Sequence, residues 1–93
     1  MMNQLDQARL AINKIDKELA LLFVKRMLMV KKIIQYKKEH NIPIYDSSRE
    51  EYLINQNSTY LPDASLLPYY QQWLKETLAV SKLYQSHLIK KDI

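Results

Sequence analysis

Arg26 stands where an apolar residue is expected. From Leu5 onward, residues recur at spacings of three and four: Leu5, Ala8, Ile12, Ile15, Leu19, Leu22, Arg26, Met29, Ile33 and Tyr36. This is the heptad-like seam of one long helix, and its one charge falls near the middle. An ionised group in an apolar seam is costly unless it is paired. Arg26 therefore either belongs to a buried salt bridge or faces an anion that arrives from outside. The last third of the chain repeats the anomaly. Leu67, Tyr70, Leu74, Leu78, Ser81, Gln85 and Leu88 share one helical face, and Ser81 and Gln85 lie one turn apart on it. Ser81 and Gln85 taken alone are explained as a satisfied polar pair near a helix end. Together with Arg26 they are the donors that a dry anion-binding site requires.

Three further cations and two acids extend this set. Lys37 follows Arg26 by eleven residues; at about 100° per residue the two project within roughly 20° of each other, about three turns apart. Arg9 precedes Arg26 by seventeen residues and points about 100° away from it. It cannot readily serve the same pocket from the same helix, but it is placed to serve the equivalent pocket of a partner subunit. Taken alone, Arg9 and Lys37 read as ordinary surface charge. After the long helix come Asp46, Arg49 and Glu50. Asp46 and Glu50, one turn apart, are the acids that a helix N-terminus favours. Arg49 between them is a cation at the positive end of a dipole and needs an anionic partner.

The elements that must position these residues are helices. The chain has 93 residues, no Gly and three Pro, with many Leu, Ile, Lys, Gln and Glu. That composition favours helix over sheet, whose turns use Gly, and the length fits one domain spanning 1–93. A first helix is predicted over about residues 3–40, with Asn41 as a left-handed cap and Pro43 as a stop. Lys37 and Lys38 in its last turn suit the dipole. A short second helix is predicted to start at Ser47 or Ser48, since both Ser47 with Glu50 and Ser48 with Glu51 fit a capping box. A third is predicted after Pro62, with Ser65 as N-cap and Pro68 in the first turn, continuing to about Lys90.

The first helix is too long for its own chain to cover. About 36 residues at 1.5 Å each span roughly 54 Å, whereas a compact 93-residue globule has a radius of gyration of about 12–13 Å. Phe23, Val24, Met27, Leu28, Val30 and Ile34 flank the seam, so the helix is apolar on several sides and is expected to be buried on several sides. An intertwined homodimer, long helix on long helix, satisfies both facts.

Composition also narrows the chemistry. There is no Cys, so neither a disulfide frame nor a thiolate metal site is possible. His40 and His87 lack ligand-like spacing, and no metal or cofactor is expected. No apolar run approaches the roughly 18 residues a membrane span needs, and residues 1–9 lack the apolar core of a signal peptide. A soluble, cytoplasmic protein is expected. The net charge of +4 and pI near 9.3 suit an anionic partner, either nucleic acid or a small polycarboxylate.

Arg9, Arg26, Lys37, Asp46, Arg49, Glu50, Ser81 and Gln85, in this order and spacing, closely resemble the all-helical chorismate mutase family. The resemblance runs from Arg9 to Gln85. It rests on the Arg9–Arg26–Lys37 spacing, on Asp46-x-x-Arg49-Glu50, and on Ser81-x-x-x-Gln85, with no departure at these positions. It implies a cofactor-free isomerase of the shikimate pathway and aromatic amino acid biosynthesis, converting the dianion chorismate to prephenate. By the same resemblance, Arg26 and the partner subunit's Arg9 pair with the substrate carboxylates, assisted by Ser81. Lys37 and Gln85 donate to the ether oxygen. Glu50, with the backbone near Asp46, binds the ring hydroxyl, and Arg49 helps hold Glu50. Catalysis is thus assigned to Lys37, Gln85 and Arg26. Docking to another enzyme of aromatic biosynthesis is open, and the chain has no length for a separate regulatory domain.

Three alternatives stand beside this reading. Isochorismate pyruvate lyases resemble the mutases in fold and basic residues, but tend to lack the Asp-x-x-Arg-Glu segment and the Ser before the Gln. Amino-deoxychorismate is a further substrate the sequence leaves open. A basic helical nucleic-acid-binding dimer fits the net charge, but the most unusual cations lie on apolar seams, not on an exposed face.

Overall fold

A computed structural model describes residues 1–91. Its regular structure is helical: α1 (Gln4–Glu39), α2 (Ser47–Ser58) and α3 (Leu67–Lys91), with a 3-10 turn, Ala64–Leu66, leading into α3. The described residues contain no strand, so the chain is all-α with the long, short, long order read from the sequence. It divides into two compact units, Met1–Val30 and Lys31–Ile93.

The first unit is the body of α1. Asn3 caps it, its Oδ1 accepting from the Asp6 N–H at 2.8 Å, and Asp6 adds negative charge to the first turn. None of residues 1–29 is buried. Leu5, Ile12, Ile15, Leu19 and Leu22 are all exposed, so the seam expected to be buried is open to solvent in the single chain. Along the whole of α1 only Arg26, Met27, Val30, Ile34 and Lys37 are less than exposed. The covered stripe is therefore offset from the predicted seam, for Met29, Ile33 and Tyr36 stay exposed while Val30 and Ile34 are buried. Periodicity finds the apolar positions of a helix, but a helix apolar on several sides does not say which side its own chain covers.

The second unit begins with the last turns of α1. Asn41 takes a left-handed φ of 54°. The Ile42 N–H donates to the Lys37 carbonyl at 2.8 Å and the Asn41 N–H to that of Lys38 at 3.4 Å. This is a Schellman ending, with Asn in place of the usual glycine. The start of α2 corrects the expected cap. The helix begins at Ser47, but the N-cap is Asp46, whose Oδ1 accepts from the Arg49 N–H at 3.0 Å. A carboxylate is the stronger acceptor at a positive helix end, and it stands just ahead of both capping-box serines, one residue before Ser47 and two before Ser48. Ser65 is likewise not a cap. Asp63 caps the 3-10 turn, accepting from both the backbone N–H and the hydroxyl of Ser65, at 3.0 and 2.6 Å. These bonds, the hydroxyl's first, hold the Asp63 carboxyl below its usual pKa. Pro68 falls in the first turn of α3 as expected. The buried apolar side chains of this unit are Ile34, Leu74 and Leu78, each worth about 1.5–3 kcal/mol, and α2 packs on α3.

Candidate active site

The apolar stripe of α3 turns polar at Ser81 and Gln85 without leaving the interior. Their residual exposures are 5% and 8%, comparable to Leu78 and Leu74 one and two turns earlier. Both side chains bond back to the helix: the Ser81 hydroxyl donates to the Thr77 carbonyl at 3.0 Å, and Gln85 Nε2 to the Ser81 carbonyl at 3.2 Å. Gln85 Oε1 is buried with no hydrogen-bond partner among the described residues. A buried oxygen left unpaired costs about 1–3 kcal/mol. Leucine there would extend the stripe and remove that cost, so packing does not account for the amide.

Glu50 is carried to the edge of this stripe. It sits in the first turn of α2, and its Oε1 is 2.9 Å from Lys82 Nζ. Lys82 follows Ser81 and precedes Gln85 by three residues, so the ion pair sets the start of α2 beside the polar end of the stripe. The Lys82 ammonium also lies 4.8 Å from the Tyr45 ring centroid. Asp46 is committed to capping α2. Arg49, expected from the resemblance to help hold Glu50, has its guanidinium 5.3 Å from the Tyr52 ring centroid, and the cation found on Glu50 is Lys82.

Lys37 is half-buried in the last turn of α1. Its Nζ donates to the Ile44 carbonyl at 3.1 Å, tying the segment before Asp46 back to the helix end. An ammonium has three N–H donors, so this bond leaves donor capacity for a ligand. Lys37, Asp46, Arg49, Glu50, Ser81 and Gln85 thus all belong to the Lys31–Ile93 unit. Arg9, exposed, and Arg26, half-buried, belong to Met1–Val30.

Sequence reasoning missed Lys82 and Tyr45. Lys82 is one of fourteen Lys and Arg residues, and nothing in its spacing distinguishes it. Only its adjacency to Ser81 hinted at a role. Among the described residues, no group of three or more His, Cys, Asp or Glu is placed to hold a metal ion. Among the described residues, no helix is long and apolar enough to cross a membrane.

The arrangement offers an amide, a hydroxyl, a carboxylate and an ammonium to a polar, anionic ligand. A family model described as chorismate mutase type II matches residues 8–86. Comparison with curated proteins and with solved structures returned no match. The matched span holds all eight residues from Arg9 to Gln85 and most of the chain. The chain belongs to the chorismate mutase type II family.

Proposed function

We propose that this chain is a chorismate mutase, acting as a single domain that pairs with a second copy of itself to rearrange chorismate to prephenate. The reaction is unimolecular and pericyclic. One C–O bond breaks as one C–C bond forms, with no proton transfer and no covalent intermediate. The enzyme has two tasks: to hold a flexible dianion in the compact conformer that brings the reacting carbons together, and to stabilise the negative charge that grows on the ether oxygen as its bond to carbon stretches.

The side chains divide between these tasks. Arg26 and Arg9 of the partner subunit take the two carboxylates through charge-assisted hydrogen bonds, which suit the fork of a guanidinium, and Ser81 assists. Glu50 accepts from the ring hydroxyl beside the backbone at Asp46, with Arg49 adding positive charge near the anion. Lys37 and Gln85 donate to the ether oxygen. Lys37 supplies the charge that counts most in the transition state, and Gln85 has a second N–H beyond the one given to Ser81.

The observation that carries this reading is the family match over residues 8–86, within which Ser81 and Gln85 are buried polar side chains on an otherwise apolar stripe. The dimer is supported by the exposed seam of the first unit, which a second long helix would cover.

Purified protein should consume chorismate, followed by its ultraviolet absorbance, and the product should give phenylpyruvate on acid treatment. The rate should change little from pH 6 to 8, because the amide of Gln85 donates at any pH. Faster release of pyruvate from isochorismate than formation of prephenate would reverse the assignment in favour of the lyase. A salt-dependent nanomolar shift with duplex DNA would favour the nucleic-acid reading.

A further inference from the structure

The cation on Glu50 is not among the residues expected to form the site. Lys82 lies on α3, its Nζ 2.9 Å from Glu50 Oε1 on α2 and 4.8 Å from the ring of Tyr45, which precedes the α2 cap. One ammonium thus fixes two points around the start of α2, the carboxylate of its first turn and an aromatic face just outside it. A lone ion pair whose partners both stay partly open to solvent contributes about 1 kcal/mol or less, so stability is a small part of what this contact does. Its half-buried carboxylate, 22% exposed, and its seat between Ser81 and Gln85 place it beside the polar stripe.

We propose that Lys82 is a positioning residue for substrate recognition, engaging one oxygen of Glu50 so that the other is aimed at the ring hydroxyl of the substrate. The inference rests on the mutase reading above. A carboxylate has two oxygens and about four acceptor sites, and the Lys82 contact occupies one of them. The Tyr45 face restrains the long lysine side chain, and the lysine in turn restrains the rotation of the Glu50 carboxylate. Lys82 touches no reacting atom. Its effect passes through Glu50 and is confined to the hydroxyl end of the substrate.

This confinement is what the test reads. Lys82→Met keeps the aliphatic stem and removes the charge. With chorismate, it should raise KM and lower kcat/KM about tenfold, with kcat changed much less, as expected when a ground-state contact is misaligned. With an analogue lacking the ring hydroxyl, Lys82→Met and the wild type should react alike. Lys82→Arg should recover most of the loss. Adding Lys82→Met to Glu50→Gln should cost little more than Glu50→Gln alone, since both remove the same contact. Circular dichroism and melting of each variant separate this from a folding defect, and a loss of fold alone would lower both substrates together. An active wild type whose Lys82→Met variant loses equally on both substrates, or loses nothing, overturns the inference and leaves the mutase reading standing. A wild-type protein inert toward chorismate overturns both.

Discussion

The two units of this chain use apolar residues differently. Lys31–Ile93 has Ile34, Leu74 and Leu78 buried and sets Ser81 and Gln85 into the same interior. Met1–Val30 is richer in apolar residues, yet none of residues 1–29 is buried. The second unit has a core and most of the candidate site. The first has Arg9, Arg26 and a seam whose Leu5, Ile12, Ile15, Leu19 and Leu22 are exposed. A water-exposed seam of this length is unfavourable by the usual area rule of about 25 cal/mol per Å². The contrast is what the proposed dimer addresses: a second copy of the chain would cover this exposed seam, and Arg9 would then serve the site of the partner.

The contrast can be broken at several points. The largest effect is expected at Arg26: replacing it with alanine should lower kcat/KM about 10³-fold, through loss of a charge-assisted pair with a substrate carboxylate. Steady-state kinetics on chorismate measure this, and a loss below tenfold would return Arg26 to a structural role. Next, Lys37→Ala should lower kcat about 10²–10³-fold with a smaller change in KM, as for loss of an oxyanion donor. A change confined to KM would move Lys37 from the ether oxygen to ground-state binding. On the seam, Leu22→Glu should convert dimers to monomers in sedimentation at micromolar concentration, because a carboxylate cannot be buried unpaired between helices. A Leu22→Glu protein with unaltered mass would remove the seam from the interface. The smallest effect belongs to the chain reversal: Asn41→Ala should cost about 1 kcal/mol in urea unfolding, from the left-handed backbone it must still adopt.

Local chemistry made much of the fold legible. With no Gly in the chain, Asn41 before Pro43 was the readable left-handed cap, and its φ of 54° agrees. The polar break at Ser81 and Gln85 was visible as an interruption of the Leu67–Leu88 stripe, and both residues are buried. Caps were less legible where several candidates crowd together. Asp46, Ser47 and Ser48 can each accept a backbone N–H, and the choice fell on the charged acceptor. Asp63 displaced Ser65 in the same way. The Glu50–Lys82 pair was not legible, because it joins residues thirty-two apart through the packing of α2 on α3. Arg49 was the nearer cation in sequence, and the ring of Tyr52 took it instead.

The proposed sharing of the site between two chains is tested most directly by mixing two inactive proteins. Arg9→Ala and Arg26→Ala chains, co-refolded in equal amounts, should recover about a quarter of wild-type activity. Random pairing makes half of the dimers mixed, and each mixed dimer has one intact site of its two. Recovery should require co-refolding and be absent when folded variants are combined briefly. Activity no greater than the average of the two variants would contradict the account, and would place Arg9 outside the site that Arg26 serves.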